Sequence, residues 1–371
     1  MEKGSNPLQV QELLDQCIYL MRGSKSDLTA CALVARSWVY PAQSLLFQEI
    51  DPWHLKRGLG DHRRLWLHIL EILRTSPHLI RHIRRLHVYA HGLANETFSE
   101  ICLFPFTHLE DVKIRPFDLP PTVAVAIQGL LSLPTLLRLD IECSFPDFVT
   151  FVQIWGRCSP SITKISLGSC HILDDYEEIP PYSTAPVNVE YLRFTSMDEG
   201  IGYWLRQDIC PLNLSCLRVL SVGQHTDVLR WPRLASSLRT LEALEFNIPQ
   251  LNESIDFSLF PELSCVRVCV FAGRAPWSKA LDTFSTISPS NCLSNVTIFG
   301  FFDQGGCEKL DSVLSQRLVH PWTTVELQPK NNRLNPIPYF PQLNSRNMLR
   351  RTAHDPQWPR LSRVLCQDPR I

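Results

Sequence analysis

Four histidines, His78, His82, His87 and His91, share a short stretch with Arg81, Arg84 and Arg85. Imidazoles at that density can ligate a metal. Here the neighbouring cations disfavour one, and no Cys or carboxylate completes a ligand set. The expectation is contact with an acidic partner and no metal. Asp174, Asp175, Glu177 and Glu178, just before Pro180-Pro181, could hold a cation or a basic partner, but a solvated insert is the preferred reading. The 13 cysteines are odd in number and none stands at C-x-x-C spacing. Most, such as Cys143, Cys265 and Cys269, fall inside apolar patterns and read as small packing residues. No G-x-S-x-G, G-x-x-x-x-G-K-S/T or G-x-G-x-x-G occurs, so the expectation is a non-enzyme with no catalytic residue and no cofactor.

A longer polar series is spread through the chain. It comprises Arg85, His87 and Tyr89, then Lys113 and Arg115, then Arg138 and Asp140, then Lys164, Tyr191, Arg193, Glu245 and Arg267. Mixed signs with interspersed tyrosine suit recognition of a protein, whereas a phosphate backbone demands one sign. A protein substrate is therefore expected and nucleic acid is not.

These residues sit beside a repeating apolar pattern: apolar, two spacers, apolar, one spacer, apolar. It begins as Ile83-Leu86-Val88 and recurs from Leu109, Leu136, Ile162, Val189, Leu217, Leu241, Leu263, Leu293 and Trp322. The starts are 26, 27, 26, 27, 28, 24, 22, 30 and 29 residues apart. The last two apolar positions are two residues apart and so share one side of a strand, with the polar series on the other. One such strand cannot bury its apolar edge alone, whereas stacked units build a continuous spine. This is the leucine-rich-repeat pattern.

Helices are expected between the strands. Pro121, Pro146 with Ser144 as cap, Asp198, Pro276 and Gly306 are the start signals. The predicted fold class is α/β, a curved solenoid with parallel strands inside and helices outside. The position that usually carries Asn or Cys fits only at Cys170, so the regular side-chain ladder is expected to be mostly missing.

Length and composition agree with this organisation. The 371 residues are 44% hydrophobic and 20% charged, with Lys plus Arg 36 against Asp plus Glu 37. Such a chain buries a core and has no bulk attraction to nucleic acid or anionic membrane. Leucine, at about one residue in seven, marks the strand positions. The start lacks the apolar run of a signal peptide, and no window approaches the ~18 apolar residues of a membrane span. The expectation is a reducing compartment, cytoplasmic or nuclear, with no membrane partner.

The first 50 residues differ from the repeats. ELLD at 12–15, LTACALVARSW at 28–38 and LLFQEI at 45–50 follow helical spacing, with Gly23 and Ser24 as a break and Asp27 as a cap. These blocks resemble an F-box, in the style of the large F-box families of mushroom-forming fungi. The family's Leu-Pro opening is absent, and Pro7 is displaced from it. The resemblance implies a three-helix module that docks on the Skp-type linker subunit of a cullin–RING ubiquitin ligase. It also implies that Leu8, Leu13, Leu14, Leu33, Val34 and Trp38 face the linker or hold the module's small core. The downstream repeats would then recruit the substrate. The alternative is a scaffold or inhibitor with a vestigial F-box. The predicted organisation is an F-box-like module at 6–50 and a linking helical segment at 51–82. About ten degenerate repeats follow at 83–329, then an irregular Pro/Arg-rich tail at 330–371.

Overall fold

The computed structural model describes residues 11–52, 59–89, 95–115, 119–174, 186–196, 198–223, 226–247, 254–270, 277–300, 302–330 and 335–352. The chain is α/β, and the strand pairs described below are parallel. It divides into two compact units, Met1–Lys164 with Cys170–Val187, and Ile165–Ser169 with Asn188–Ile371.

The first unit opens with three helices, α1 (Gln11–Leu20), α2 (Lys25–Val34) and α3 (Arg36–Leu46). Leu14, Ile18, Leu28, Cys31 and Ala42 form their core, with Met21, Ala32, Trp38, Leu45 and Leu46 packed around it. Ser24 rather than Asp27 caps α2, because the Ser24 hydroxyl accepts the Asp27 N–H at 3.3 Å. After β1 (Glu49–Ile50) comes α4 (Leu59–Thr75), where the sequence predicts a linking helix, and then a 3-10 turn at Pro77–His82. The unit continues with β2 (Arg85–Tyr89), α5 (Asn95–Cys102), β3 (Asp111–Arg115), α6 (Pro121–Leu131), β4 (Arg138–Phe145) and α7 (Phe148–Trp155). The order β1-β2-β3-β4 is sequential. Parallel neighbours need a crossover, and α5 and α6 supply it. In β5 (Lys164–Ile172), residues 165–169 belong to the second unit and the flanking ones to the first.

The second unit contains β7 (Tyr191–Phe194), which follows β6 (Val187–Asn188), then α8 (Glu199–Arg206), β8 (Leu212–Asn213), β9 (Val219–Val222) and α9 (Pro232–Ala235). It continues through β10 (Ala243–Asn247), β11 (Cys265–Val270), α10 (Trp277–Ser285), β12 (Asn295–Gly300), α11 (Gln304–Arg317) and β13 (Thr324–Pro329). It closes with α12 (Pro341–Ser345) and β14 (Leu349–Arg351). Its strand order is β7-β9-β10-β11-β12-β13-β14.

The last two apolar residues of each predicted triplet lie on a strand, and within each unit they stack in register. Leu86 pairs with Val112 and Val112 with Leu139. Leu192 pairs with Leu220, Leu220 with Leu244, Leu244 with Val266, Val266 with Val296, and Val296 with Val325. All of these are fully buried. At most strand entries one carbonyl accepts two successive N–H groups from the next strand. Arg84 O takes Glu110 and Asp111, and Glu110 O takes Leu137 and Arg138; in the second unit Arg218 O takes Glu242 and Ala243.

Hydroxyls at the start of the apolar triplets link neighbouring repeats. Thr135 donates to Leu109 O at 2.8 Å and Ser161 to Leu136 O at 2.9 Å. In the second unit Thr240 donates to Leu217 O and Thr323 to Leu293 O. Cys170, the one residue that fits the usual position, donates its thiol to Ile141 O at 3.3 Å. Buried carbonyls must be satisfied, and a short hydroxyl one strand over serves as well as an amide.

Several sequence expectations need correction. Asp198 caps α8 as predicted, but Ser144 lies within β4 and Asp147 caps α7 by accepting the Thr150 N–H at 2.6 Å. Gly306 does not start α11. Asp303 caps it, and Gly306 sits inside, where a Cβ would strike the Trp277 ring. Trp322 is 64% exposed, and the buried position beside it belongs to Thr323. The tail is not irregular throughout. Residues 335–352 add α12 and β14, with Phe340, Leu343 and Met348 buried. Asp311 anchors that addition by accepting the Gln342 and Leu343 N–H groups at 2.8 and 2.9 Å, the α12 N-terminus. The remaining tail, Leu8, His91, Pro276 and the acidic run at 175–178 lie outside the described residues. Among the described residues, no helix is long and apolar enough to cross a membrane.

Candidate functional surfaces

Two kinds of surface emerge. The first belongs to the three-helix module. Of the residues assigned to linker binding, Leu33 is 84% and Val34 65% exposed at the end of α2, and Leu13 is exposed on α1. Leu14 takes the other expected role: at 1% exposure it is part of the module's core. Trp38 is half-buried against the same core. Leu28 and Cys31 turn inward on α2, so Leu33 and Val34 are apolar residues that the fold leaves in water.

The second surface is the strand side away from the core. In the first unit its first row reads Glu49, Arg85, Asp111, Arg138, and each is the register partner of the next. Glu49 pairs with Arg85 at 3.2 Å, and Asp111 lies 3.8 Å from Arg138. Burial raises the Asp111 carboxyl, with Arg138 pulling the other way. In the second row Lys113 and Arg115 share the buried Asp140 at 3.5 and 3.7 Å, and Arg115 also reaches Glu142 at 3.2 Å. His87 meets Asp51 at 2.9 Å. Tyr89 is buried, and desolvation pushes its phenol up to about 12.

In the second unit the equivalent first row is apolar over four strands and then continues as Asn295 and Thr324. Tyr191, Val219, Ala243 and Cys265 are register partners and pack as one cluster. The second row carries Arg193, Ser221, Glu245, Arg267 and Thr297. Glu245 is buried, and that burial pushes it up to about 7 against the pull of Arg267, Arg193 and the Ser221 hydroxyl. Arg267 is pulled below its ordinary value by the same desolvation, and its guanidinium lies over the Phe299 ring.

The expected open row of recognition groups is therefore corrected. Tyr89, Asp140, Tyr191, Glu245 and Arg267 are buried. Arg85, His87, Lys113, Arg115, Arg138, Lys164 and Arg193 retain accessible surface, and the first five of these are engaged with carboxylates. The histidine cluster also divides: His82 packs edge-on against Tyr40 at 5.1 Å, His87 turns to Asp51, and His78 is exposed. Sequence reasoning missed Glu49, Asp51 and the hydroxyl ladder, because pairing across strands reveals them and spacing along the chain does not.

No protein-family model matches the chain, and none of the curated proteins does.

Proposed function

We propose that the protein is a non-enzymatic adaptor. Its three-helix module docks on the Skp-type linker subunit of a cullin ubiquitin ligase, and its repeat strands recruit a protein substrate. The observation that carries this reading is the exposure of Leu33 and Val34 within the sequence block that most resembles an F-box. Apolar side chains left in water are what a partner interface covers. The mechanism is proximity: tethering raises the substrate's effective concentration at the conjugating enzyme.

The test is co-precipitation of a Skp-type linker subunit by the full chain. Leu33→Asp should abolish capture with an unchanged circular-dichroism spectrum, because Leu33 supports no core. A wild-type chain that captures no linker, or a Leu33→Asp chain that captures it normally, overturns the reading. The missing Leu-Pro opening favours a second reading, a scaffold with a vestigial F-box. It predicts partners whose ubiquitination is unchanged when the protein is depleted.

A further inference from the structure

We infer that Glu49, Asp51 and His87 form a binding site for one first-row divalent cation of the zinc or cobalt type. Glu49 and Asp51 flank Ile50, so the strand's alternation sends both to the side away from the core while Ile50 is buried. Ile50 pairs with Leu86, which brings the next residue, Asp51, level with His87.

One donor atom from each of the three residues lies within 4.8 Å of the other two. His87 Nδ1 stands 2.9 Å from Asp51 Oδ2 and 3.9 Å from Glu49 Oε1. Metal bonds of about 2.0–2.2 Å in a tetrahedron put neighbouring ligand atoms about 3.4 Å apart, between those two separations. Small side-chain rotations therefore suffice to close the set.

Arg85 holds Glu49 through Oε2, which leaves Oε1 turned to the histidine. A ligating carboxylate fixed by an outer partner is the usual arrangement around a metal. Lys113, the register partner of His87, is directed to Asp140. Two carboxylates neutralise a divalent ion, and the third carboxylate nearby, Asp111, faces Arg138. The Asp51 side chain is 7% exposed and Glu49 is more open, so the Glu49 side is the accessible one. A bound ion would tie the end of the helical module to the second strand.

The experiment is cobalt titration of the full-length chain. Cobalt reports its own ligands: thiolates give a charge-transfer band that nitrogen and oxygen donors lack, which separates this site from the exposed Cys17, Cys216 and Cys292. One equivalent should bind with tetrahedral visible bands and no thiolate band. Asp51→Asn and His87→Gln should each weaken it at least ~10-fold with the fold unchanged by circular dichroism. Absence of such a thiolate-free site in the wild type overturns the proposal. So does equal affinity in both folded variants.

Discussion

At the first strand position away from the core, the first unit carries Glu49, Arg85, Asp111 and Arg138. The second carries Tyr191, Val219, Ala243 and Cys265 at the matching position. Both rows rest on the same backbone device, a carbonyl that accepts two successive amides at the strand entry. The core side is equally alike, with Leu, Val, Ile and Phe stacked in register. The difference shows that the core dictates one side of each strand and leaves the other free. The first unit satisfies that side with opposite charges across strands. The second uses apolar contact in the first row over four strands and gathers its charges, Arg193, Glu245, Arg267 and Glu326, in the row beside it.

The largest test of this contrast is Asp140→Ala. It leaves Lys113 and Arg115 without the carboxylate they share, and it should destabilise the first unit by roughly 3 kcal/mol. That value sits at the low end for a broken buried pair, because both cations keep some solvent. Urea unfolding at neutral pH measures it. A loss under about 1 kcal/mol would mean that the ladder of charges is a surface decoration and that the two faces differ only in appearance.

A middle-sized effect separates the units by pH. Burial raises Glu245 to about 7, while an unfolded glutamate ionises near its ordinary value. The folded state thus keeps a proton that the unfolded state has lost. Stability from this group is fully present only below the ordinary glutamate value of 4.5 and is lost, by on the order of 3 kcal/mol, as pH rises from there to about 7. His82 works the other way. Burial lowers its pKa, so the first unit loses stability as pH drops below the ordinary histidine range. Hydrogen-exchange mass spectrometry from pH 5 to 8 should show opposite trends for peptides of the two units. Glu245→Gln should flatten the trend in the second unit alone.

The side facing the core was legible in the sequence and the other side was not. Period-two apolar pairs such as Leu86 and Val88 are forced by burial, and each pair fell on a strand. Trp322 misleads because residue type alone implies burial, whereas the Leu293 carbonyl needs a hydroxyl and Thr323 supplies it at 2.7 Å. The unit formed by α12 and β14 was hidden by prolines, which open its helical turns, and by the arginines of an edge strand. Of the charged row the sequence showed the residues and their alternation. It did not show that Lys113 stands level with Asp140, or that Asp51 meets His87 across 36 residues, because register sets both. Helical spacing put Leu14 on the apolar stripe of its helix and Leu33 off the tightest stripe of its own, in keeping with the burial of one and the exposure of the other.

The smallest effect should appear where the units are alike. Each has an arginine–glutamate pair at the strand entry, Arg84 with Glu110 and Arg218 with Glu242. Arg218 grips Glu242 through two bonds of 2.6 and 2.8 Å. Both pairs are substantially exposed, so solvent screens them, and long side chains lose entropy when held. Double-mutant cycles should give about 0.2–1 kcal/mol for each pair, falling as salt is added. Arg218–Glu242 should lie at the upper end because its geometry is bidentate. Small and salt-sensitive coupling in both units, beside an Asp140 effect several times larger, would locate the difference between them in the strand face alone.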